Sequence, residues 1–300
     1  MVTVRHGRSA VPPASRVTAV SHQPATRRKP GRRAVALLAL ALLVCLLAPA
    51  ASASAGPAAT PPADPLALLA VQQAQLLAFD GAAGDYFGYS VALSGETALV
   101  GAPWGTVGSN VEQGSAYVFV RSGAGWIQQA KLLATDGAAY DNFGYSVALS
   151  GETALVGAPG GNAEQGSAWV FTRSGADWSQ QAHLTASDGA AGDWFGYRVA
   201  ISSDTALVGS PQQTVGGNAD QGSAYVFTRS GASWSQQAHL TASDGAAHDY
   251  YFGNSVAISG ETALVGAPGD TVGSNTLQGS AYVLHPLGRQ LEPAGAPDGR

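Results

Sequence analysis

The chain has 300 residues, 45% of them hydrophobic and only 12% charged, with 39 Gly, one Cys and a formal net charge of −5. Eight of the 15 Lys and Arg precede residue 34 and all 20 Asp and Glu follow residue 55, so residues 56–300 carry seven positive against twenty negative charges, a net −13. That acidic balance repels a phosphate backbone and argues against nucleic acid as a partner, and the lack of any Cys beyond Cys45 leaves that stretch without disulfides or thiolate metal ligands.

Residues 1–55 read as an export signal. Arg27, Arg28, Lys29, Arg32 and Arg33 precede the 14-residue apolar run Ala34–Leu47, Pro49 ends it, and small-residue cleavage patterns follow at Ala51-Ser52-Ala53 and Ala53-Ser54-Ala55. This is the three-part order of a secretory signal peptide. The run is shorter than the roughly 17–25 residues of a spanning helix, so no membrane span is expected once the signal is removed. The expected location is secreted, extracellular or periplasmic. Arg32-Arg33 also admits a twin-arginine route. Beyond the signal, residues 56–71 read as a Pro/Ala-rich linker, 72–287 as the folded domain and 288–300 as a disordered tail.

Internal repeats organise the domain. Four segments align on Phe87-Gly88, Phe143-Gly144, Phe195-Gly196 and Phe252-Gly253, spaced by 56, 52 and 57 residues. Each repeat divides into four short strands. In the second repeat, Tyr145, Val147 and Leu149 alternate with the small Ser146 and Ala148, the period of two that marks a strand. A tight turn at Ser150–Thr153 leads to an apolar strand, Ala154–Ala158, ended by Pro159. A third strand follows at Ser167–Thr172 and a fourth at Trp178–Ala186. A unit this small cannot bury both faces alone, so neighbours must stack, and radial stacking gives a propeller.

The expected fold is therefore all-β, a β-propeller of four-stranded blades. Gln72–Phe79 matches the fourth strand, and the last repeat stops near Leu284 without one. Four blades closed by this N-terminal strand, in a monomeric ring, is the expectation. The rival is an open array that needs a second chain to finish a larger ring.

The Phe-Gly pairs are followed about 14 residues later by Gly101-Ala102-Pro103, Gly157-Ala158-Pro159 and Gly266-Ala267-Pro268, with Gly209-Ser210-Pro211 as the variant in the third repeat. In this the chain resembles the FG-GAP repeat family of integrin α-subunit propellers and exported bacterial proteins. The resemblance implies a propeller used for adhesion or protein interaction, and it names no ligand. Many family members hold Ca²⁺ in an Asp-rich loop between the first and second strands. Here that turn is Ser94-Gly95-Glu96-Thr97 and its equivalents, too poor in oxygen for the roughly six to eight ligands Ca²⁺ takes, so that site is not carried over and no cofactor is expected.

The common catalytic spacings are missing: the sequence has no Gly-x-Ser-x-Gly, His-Glu-x-x-His, Walker A loop or dinucleotide fingerprint. No enzymatic activity is expected. The enzymatic alternative is a glycan-cleaving propeller using paired loop carboxylates. His183 and His239 fall at one repeated position and read as residues of a solvated outer strand. The Asp-Gly loops Asp80–Asp85, Asp136–Asp141, Asp188–Asp193 and Asp244–Asp249 could hold a cation, but an Asx-type turn explains them more simply. Arg198 stands where other repeats have Ser90, Ser146 and Ser255.

Strands of a blade alternate in direction, so the loops after Gly-Ala-Pro and the Asp-Gly loops must share one face. That face gathers Tyr86, Trp104, Tyr140, Trp194 and Tyr250 with Asp85, Asp141, Asp193 and Asp249. It is the expected binding face, for a basic protein surface or a cell-surface glycan stacked on Trp104 or Trp194; a merely solvated rim is the plainer alternative. The opposite face carries Arg121, Arg173 and Arg229 opposite Glu96, Glu152, Asp204 and Glu261.

Overall fold

The computed structural model describes residues 72–161, 164–245 and 251–285. The expected signal, the linker and the tail from residue 288 lie outside these residues. Fifteen strands run through the described part, and none of its helices is long and apolar enough to cross a membrane. The first sheet is β1 (Ser90–Ser94), β2 (Thr97–Ala102), β3 (Ser115–Ser122) and β4 (Gly125–Leu132). The second is β5 (Ser146–Ser150), β6 (Thr153–Ala158), β7 (Ser167–Ser174) and β8 (Asp177–Leu184). The third is β9 (Arg198–Ser202), β10 (Thr205–Ser210), β11 (Ser223–Ser230) and β12 (Ser233–Leu240). β13 (Ser255–Ser259), β14 (Thr262–Ala267) and β15 (Ser280–Leu284) form a last sheet of three. Each sheet is antiparallel, with its strands side by side in chain order.

Register divides each sheet into two unlike faces. In the second sheet Val147 opposes Val156, which opposes Trp169, while Ala148 opposes Leu155, which opposes Val170. One face is thus large and aromatic, the other aliphatic and flatter. The large face of the second sheet packs on Leu99, Ala116 and Val118 of the first. The third sheet seats Val208, Tyr225 and Phe227 on Leu155 and Val170 in the same way. The second strand lies between two neighbours and is buried on both faces, which explains its nearly continuous apolar run.

The sheets meet most closely at glycine. A Cβ on Gly157 would lie 2.0 Å from the carbonyl oxygen of Gly196 in the next sheet; Gly101 stands in the same relation to Gly144 at 2.0 Å and Gly209 to Gly253 at 2.1 Å. Parallel bridges Gly114 to Phe143, Gly166 to Phe195 and Gly222 to Phe252 repeat beside these contacts. Each Phe-Gly is therefore held between the Gly-Ala-Pro and Gln-Gly-Ser elements of the preceding sheet. Phe143, Phe195 and Phe252 are fully buried there. Phe143 sets its edge against Trp169 at 5.6 Å and Phe195 against Tyr225 at 5.5 Å. In the variant third repeat, Ser210 is buried and donates its hydroxyl to the Asp193 carbonyl at 2.9 Å.

On the side opposite the Asp-Gly loops, Arg121 pairs with Glu96 at 3.6 Å, Arg173 donates to Glu152 at 2.6 Å, and Arg229 donates to Asp204 at 2.7 Å. Arg173 and Arg229 also reach Thr97 and Thr153 of the preceding sheet. These exposed pairs contribute less to stability than the buried sheet contacts.

Closure departs from expectation. Gln72–Phe79 forms no strand, and among the described residues the sheet of β13–β15 has no strand paired on β15. Leu76 and Ala78 pack instead on Val100, Tyr117 and Phe119 of the first sheet. Among the described residues no hydrophobic cluster joins the last sheet to the first, and the array is open. The inner strands pack in sequence, β1 on β5, β5 on β9 and β9 on β13, through the same glycine contacts each time.

Gly157→Ala is expected to cost about 3 kcal/mol in urea unfolding, because the added methyl meets backbone that cannot move aside. Gly175→Ala, in an exposed hairpin with φ 65° and open space around it, is expected to cost only about 1–2 kcal/mol, from conformation alone. Equal costs at the two sites would show that the close approach is not what holds the sheets together.

Candidate functional site

Backbone hydrogen bonds tie the Asp-Gly loops to the loops between second and third strands. Tyr140 donates to Val111 at 2.9 Å, Asn142 to Glu112 at 3.1 Å, Trp194 to Glu164 at 3.3 Å and Tyr251 to Asp220 at 3.2 Å. The two sets of loops thus share one face, as strand alternation requires. Three of the loops between second and third strands carry the same small closure, Val107–Asn110, Val215–Asn218 and Val272–Asn275.

This face holds most of the unusual backbone. Ten non-Gly residues among those described have positive φ, and nine lie in these loops, Ser203 being the exception in an opposite hairpin. Tyr86, Trp194 and Tyr251, each just before the repeat's Phe, have φ of 54°, 58° and 79°. The second repeat places Asn142 there, φ 56°. Asn takes the left-handed region readily, whereas a bulky side chain costs about 1–2 kcal/mol. Glu112, Glu164 and Asp220 are left-handed as well.

The aromatic residues form a connected band. Trp104 meets Tyr86 edge-on at 4.8 Å and Tyr89 at 4.7 Å; Tyr89 meets Tyr145 at 4.9 Å, Tyr145 meets Tyr197 at 5.1 Å, and Trp194 stacks on Tyr197 at 5.9 Å and 17°. Tyr89, Tyr145 and Tyr197 were missed as site residues, although each directly follows a Phe-Gly; that repeated position was the available signal. The Arg198 guanidinium lies 4.6 Å from the Tyr197 ring and 5.6 Å from that of Tyr145. It extends the band where the other repeats carry Ser.

Three clefts open on this face. One, about 710 Å³, is walled by Asp80, Asp85, Tyr86, Trp104, Glu112 and Lys131. Its counterpart in the next repeat, about 490 Å³, is lined by Asp136, Tyr140, Asp141, Glu164 and His183. Between repeats a third, about 360 Å³, includes Glu112, Tyr140, Tyr145, Glu164, Trp194 and Tyr197. Tyr86, Trp104 and Asp85 are thus gathered in one cleft and Tyr140 with Trp194 in another. Tyr250 and Asp249 lie outside the described residues.

The loop aspartates are turn residues. Asp85, Asp141 and Asp193 accept from the backbone N–H groups of Ala82, Ala138 and Ala190, three residues earlier, at 2.7, 2.6 and 2.7 Å and so close their loops. The expected Asx-type turn, in which the leading Asp would accept from a following N–H, is not formed among the described residues, and the glycines after the leading Asp are not left-handed. Asp141 and Asp193 are buried in doing so, and burial raises the pKa of both carboxyls. Asp80 instead accepts from Lys131 at 2.7 Å and Tyr117 at 3.0 Å, and the Lys131 ammonium holds its carboxyl below the ordinary value. No group of three or more His, Cys, Asp or Glu placed to hold a metal ion occurs among the described residues.

A repeated clamp was not legible in the sequence. His183 stacks on Trp169 at 4.4 Å and His239 on Tyr225 at 4.6 Å, each with its Nε2 bonded to a serine hydroxyl of the third strand. Their Nδ1 atoms lie 3.5 Å from Asp136 and 3.4 Å from Asp188. Lys131 takes the same place over Tyr117, at 5.2 Å. The outer-strand histidines are thus packing residues that tie a sheet to its Asp-Gly loop.

Repeated antiparallel sheets stacked face to face, with ligand-sized clefts on one loop face, define an all-β repeat module of the propeller type. The FG-GAP repeat model matches residues 70–119, 126–171, 178–227 and 234–284, and the chain belongs to that family. Each match begins in a fourth-strand segment and ends in the third strand of the next sheet, so Gln72–Phe79 is the proper start of the first repeat. No curated protein matches the sequence.

The raised pKa of Asp141 has a measurable sign. Its burial favours the protonated form, so this group's contribution is fully present at low pH and is lost as pH rises through the folded pKa, above the ordinary carboxylate value. Asn keeps the acceptor for Ala138 without the charge. Asp141→Asn is expected to gain stability relative to the parent as pH rises from 3 to 7, measured by urea unfolding at each pH. A constant difference across that range would contradict the burial argument.

Proposed function

We propose that this chain is an exported, non-catalytic binding module of the adhesion type whose partner seats on the loop face, with a basic protein surface as the favoured ligand. One observation carries the reading: the bulky aromatic residues Tyr86, Trp194 and Tyr251 occupy left-handed backbone on this face, at the position where the second repeat shows that Asn serves the turn. Strain that the turn itself does not need points to a role for the side chains. The chemistry supports a cationic ligand. Asp80, Asp85 and Glu112 line the cleft that Tyr86 and Trp104 wall, a setting for Lys or Arg that combines charge with ring faces. The signal-like first 55 residues support export, and the missing catalytic spacings support a binding role.

A glycan is the second reading. It rests on Trp194 and Tyr197, whose nearly parallel rings form an aromatic surface of the kind sugars stack on.

Tyr86→Asn and Trp194→Asn separate these roles from folding. Each is expected to keep or raise the melting temperature, since Asn relieves the left-handed strain. The double variant is expected to bind a Lys/Arg-rich peptide selected from an array at least about 30-fold more weakly, the loss of an aromatic anchor worth about 2 kcal/mol. Parent affinity should also fall steeply between low and high salt. Binding that ignores salt but responds to Trp194→Asn on a glycan array favours the second reading. Binding unchanged in the double variant removes this face from the function.

A further inference from the structure

The two ends of the array are the two halves of one joint. Val91 and Leu93 on the first sheet's large face are 70% and 67% exposed, whereas the matching Val147 inside the array is 8% exposed. Leu264 and Val283 on the last sheet's flatter face are 44% and 66% exposed, whereas the matching Leu155 and Val170 are fully buried. The inner-strand part of a large face is open at one end, the rest being packed against Leu76, Ala78 and Phe87, and a flat face is open at the other; inside the array such faces meet.

The strand defects match in the same sense. Among the described residues the last sheet has no fourth strand, and the β15 edge has no partner strand. The first sheet carries a spare one. Leu76 and Ala78 correspond in the repeat to Leu132 and Ala134, and they sit on Val100, Tyr117 and Phe119 as Leu132 and Ala134 sit on Val156, Trp169 and Phe171. The Phe79 N–H is held by Gln128 at 3.1 Å, just as Thr135 is held by Gln180 at 3.2 Å and Ser187 by Gln236 at 3.1 Å. Gln72–Phe79 already occupies the place of a fourth strand belonging to a preceding sheet. Only that sheet's other three strands are missing beside it.

What supplies them follows from the step. Quarter turns would bring the fourth sheet against the first. The interior joints repeat the same glycine contacts and bridges, yet Val91 and Leu93 at one end and Leu264 and Val283 at the other stay exposed. The fourth sheet does not cover the first, and more than four sheets are needed to close. We propose that two copies of this chain join head to tail, the Gln72–Phe79 strand of each completing the other's last sheet, to close one ring of eight sheets. Eight lies within the usual range of about 4–8 blades, and a head-to-tail contact that closes gives a finite assembly. The expectation of a monomer rested on a ring closed within one chain.

The repeat sets the register of the joint. Val118 opposes Ala130, Val170 opposes Ala182 and Val226 opposes Ala238, so Val283 of one copy should oppose Ala74 of the other. The test is the full chain carrying Ala74→Cys and Val283→Cys, with Cys45→Ser to remove the native thiol. Mild oxidation is expected to give a covalent dimer on non-reducing gels, and light scattering of the untreated parent chain to give twice the chain mass at micromolar concentration. Leu76→Asp and Val283→Asp, one at each half of the joint, should each convert that dimer to monomer. A disulfide formed within one chain, or no disulfide, overturns the proposal. So does a monomeric parent, or a mass that keeps growing with concentration as an open filament would.

Discussion

The close approach of backbone to backbone at the glycine of each Gly-Ala-Pro is the constraint on which the structure depends. Gly157 leaves no room for a side chain because the carbonyl of Gly196 stands where its Cβ would be. Gly196 itself has φ 91° and donates its N–H to Gly209 of its own sheet at 3.1 Å. A single glycine pair thus fixes the distance between two sheets, the turn that begins the next one and the depth of the Phe195 ring. The family's two motif elements are separate in sequence because they meet across neighbouring sheets.

Burial follows from that spacing. Sheets held this close interdigitate only if one face is large and the other flat, which is why Trp169 and Phe171 face Leu99 and Val118 and not their like. With no Cys after residue 45, apolar packing carries the stability. Polar clamps then fix orientation at the rim: glutamine side chains cap the end of the preceding sheet's fourth strand, and Lys131, His183 and His239 lie over aromatic rings of the third.

The loop face is built on different terms. Backbone bonds run from Asp-Gly loop to second-to-third-strand loop, and the amides of Asn110, Asn142 and Asn218 add to them, so the frame is held without the large aromatic side chains. That leaves Tyr86, Trp104, Tyr140 and Glu112 around open clefts, while Asp141 and Asp193 turn inward to close their own loops. The interior thus serves as a rigid frame and the strain collects where a ligand would meet the protein.

The amino-acid sequence by itself determined the repeat, the four strand types and the shared loop face. Alternation at Val147 and Leu149, the apolar run Ala154–Ala158 and the Ser-Gly-Glu-Thr turns are local signals, and the observed strands lie within about two residues of the expected ones. It also showed the pairing of Arg121, Arg173 and Arg229 with acidic neighbours, because that depends on contacts within one sheet. Tertiary structure alone decided the rest. The ladder from Trp104 through Tyr145 to Trp194 runs across three sheets, and the burial of Asp141 depends on the loop packed beside it. Where Gln72–Phe79 packs depends on how whole sheets stack on one another, which no single repeat encodes.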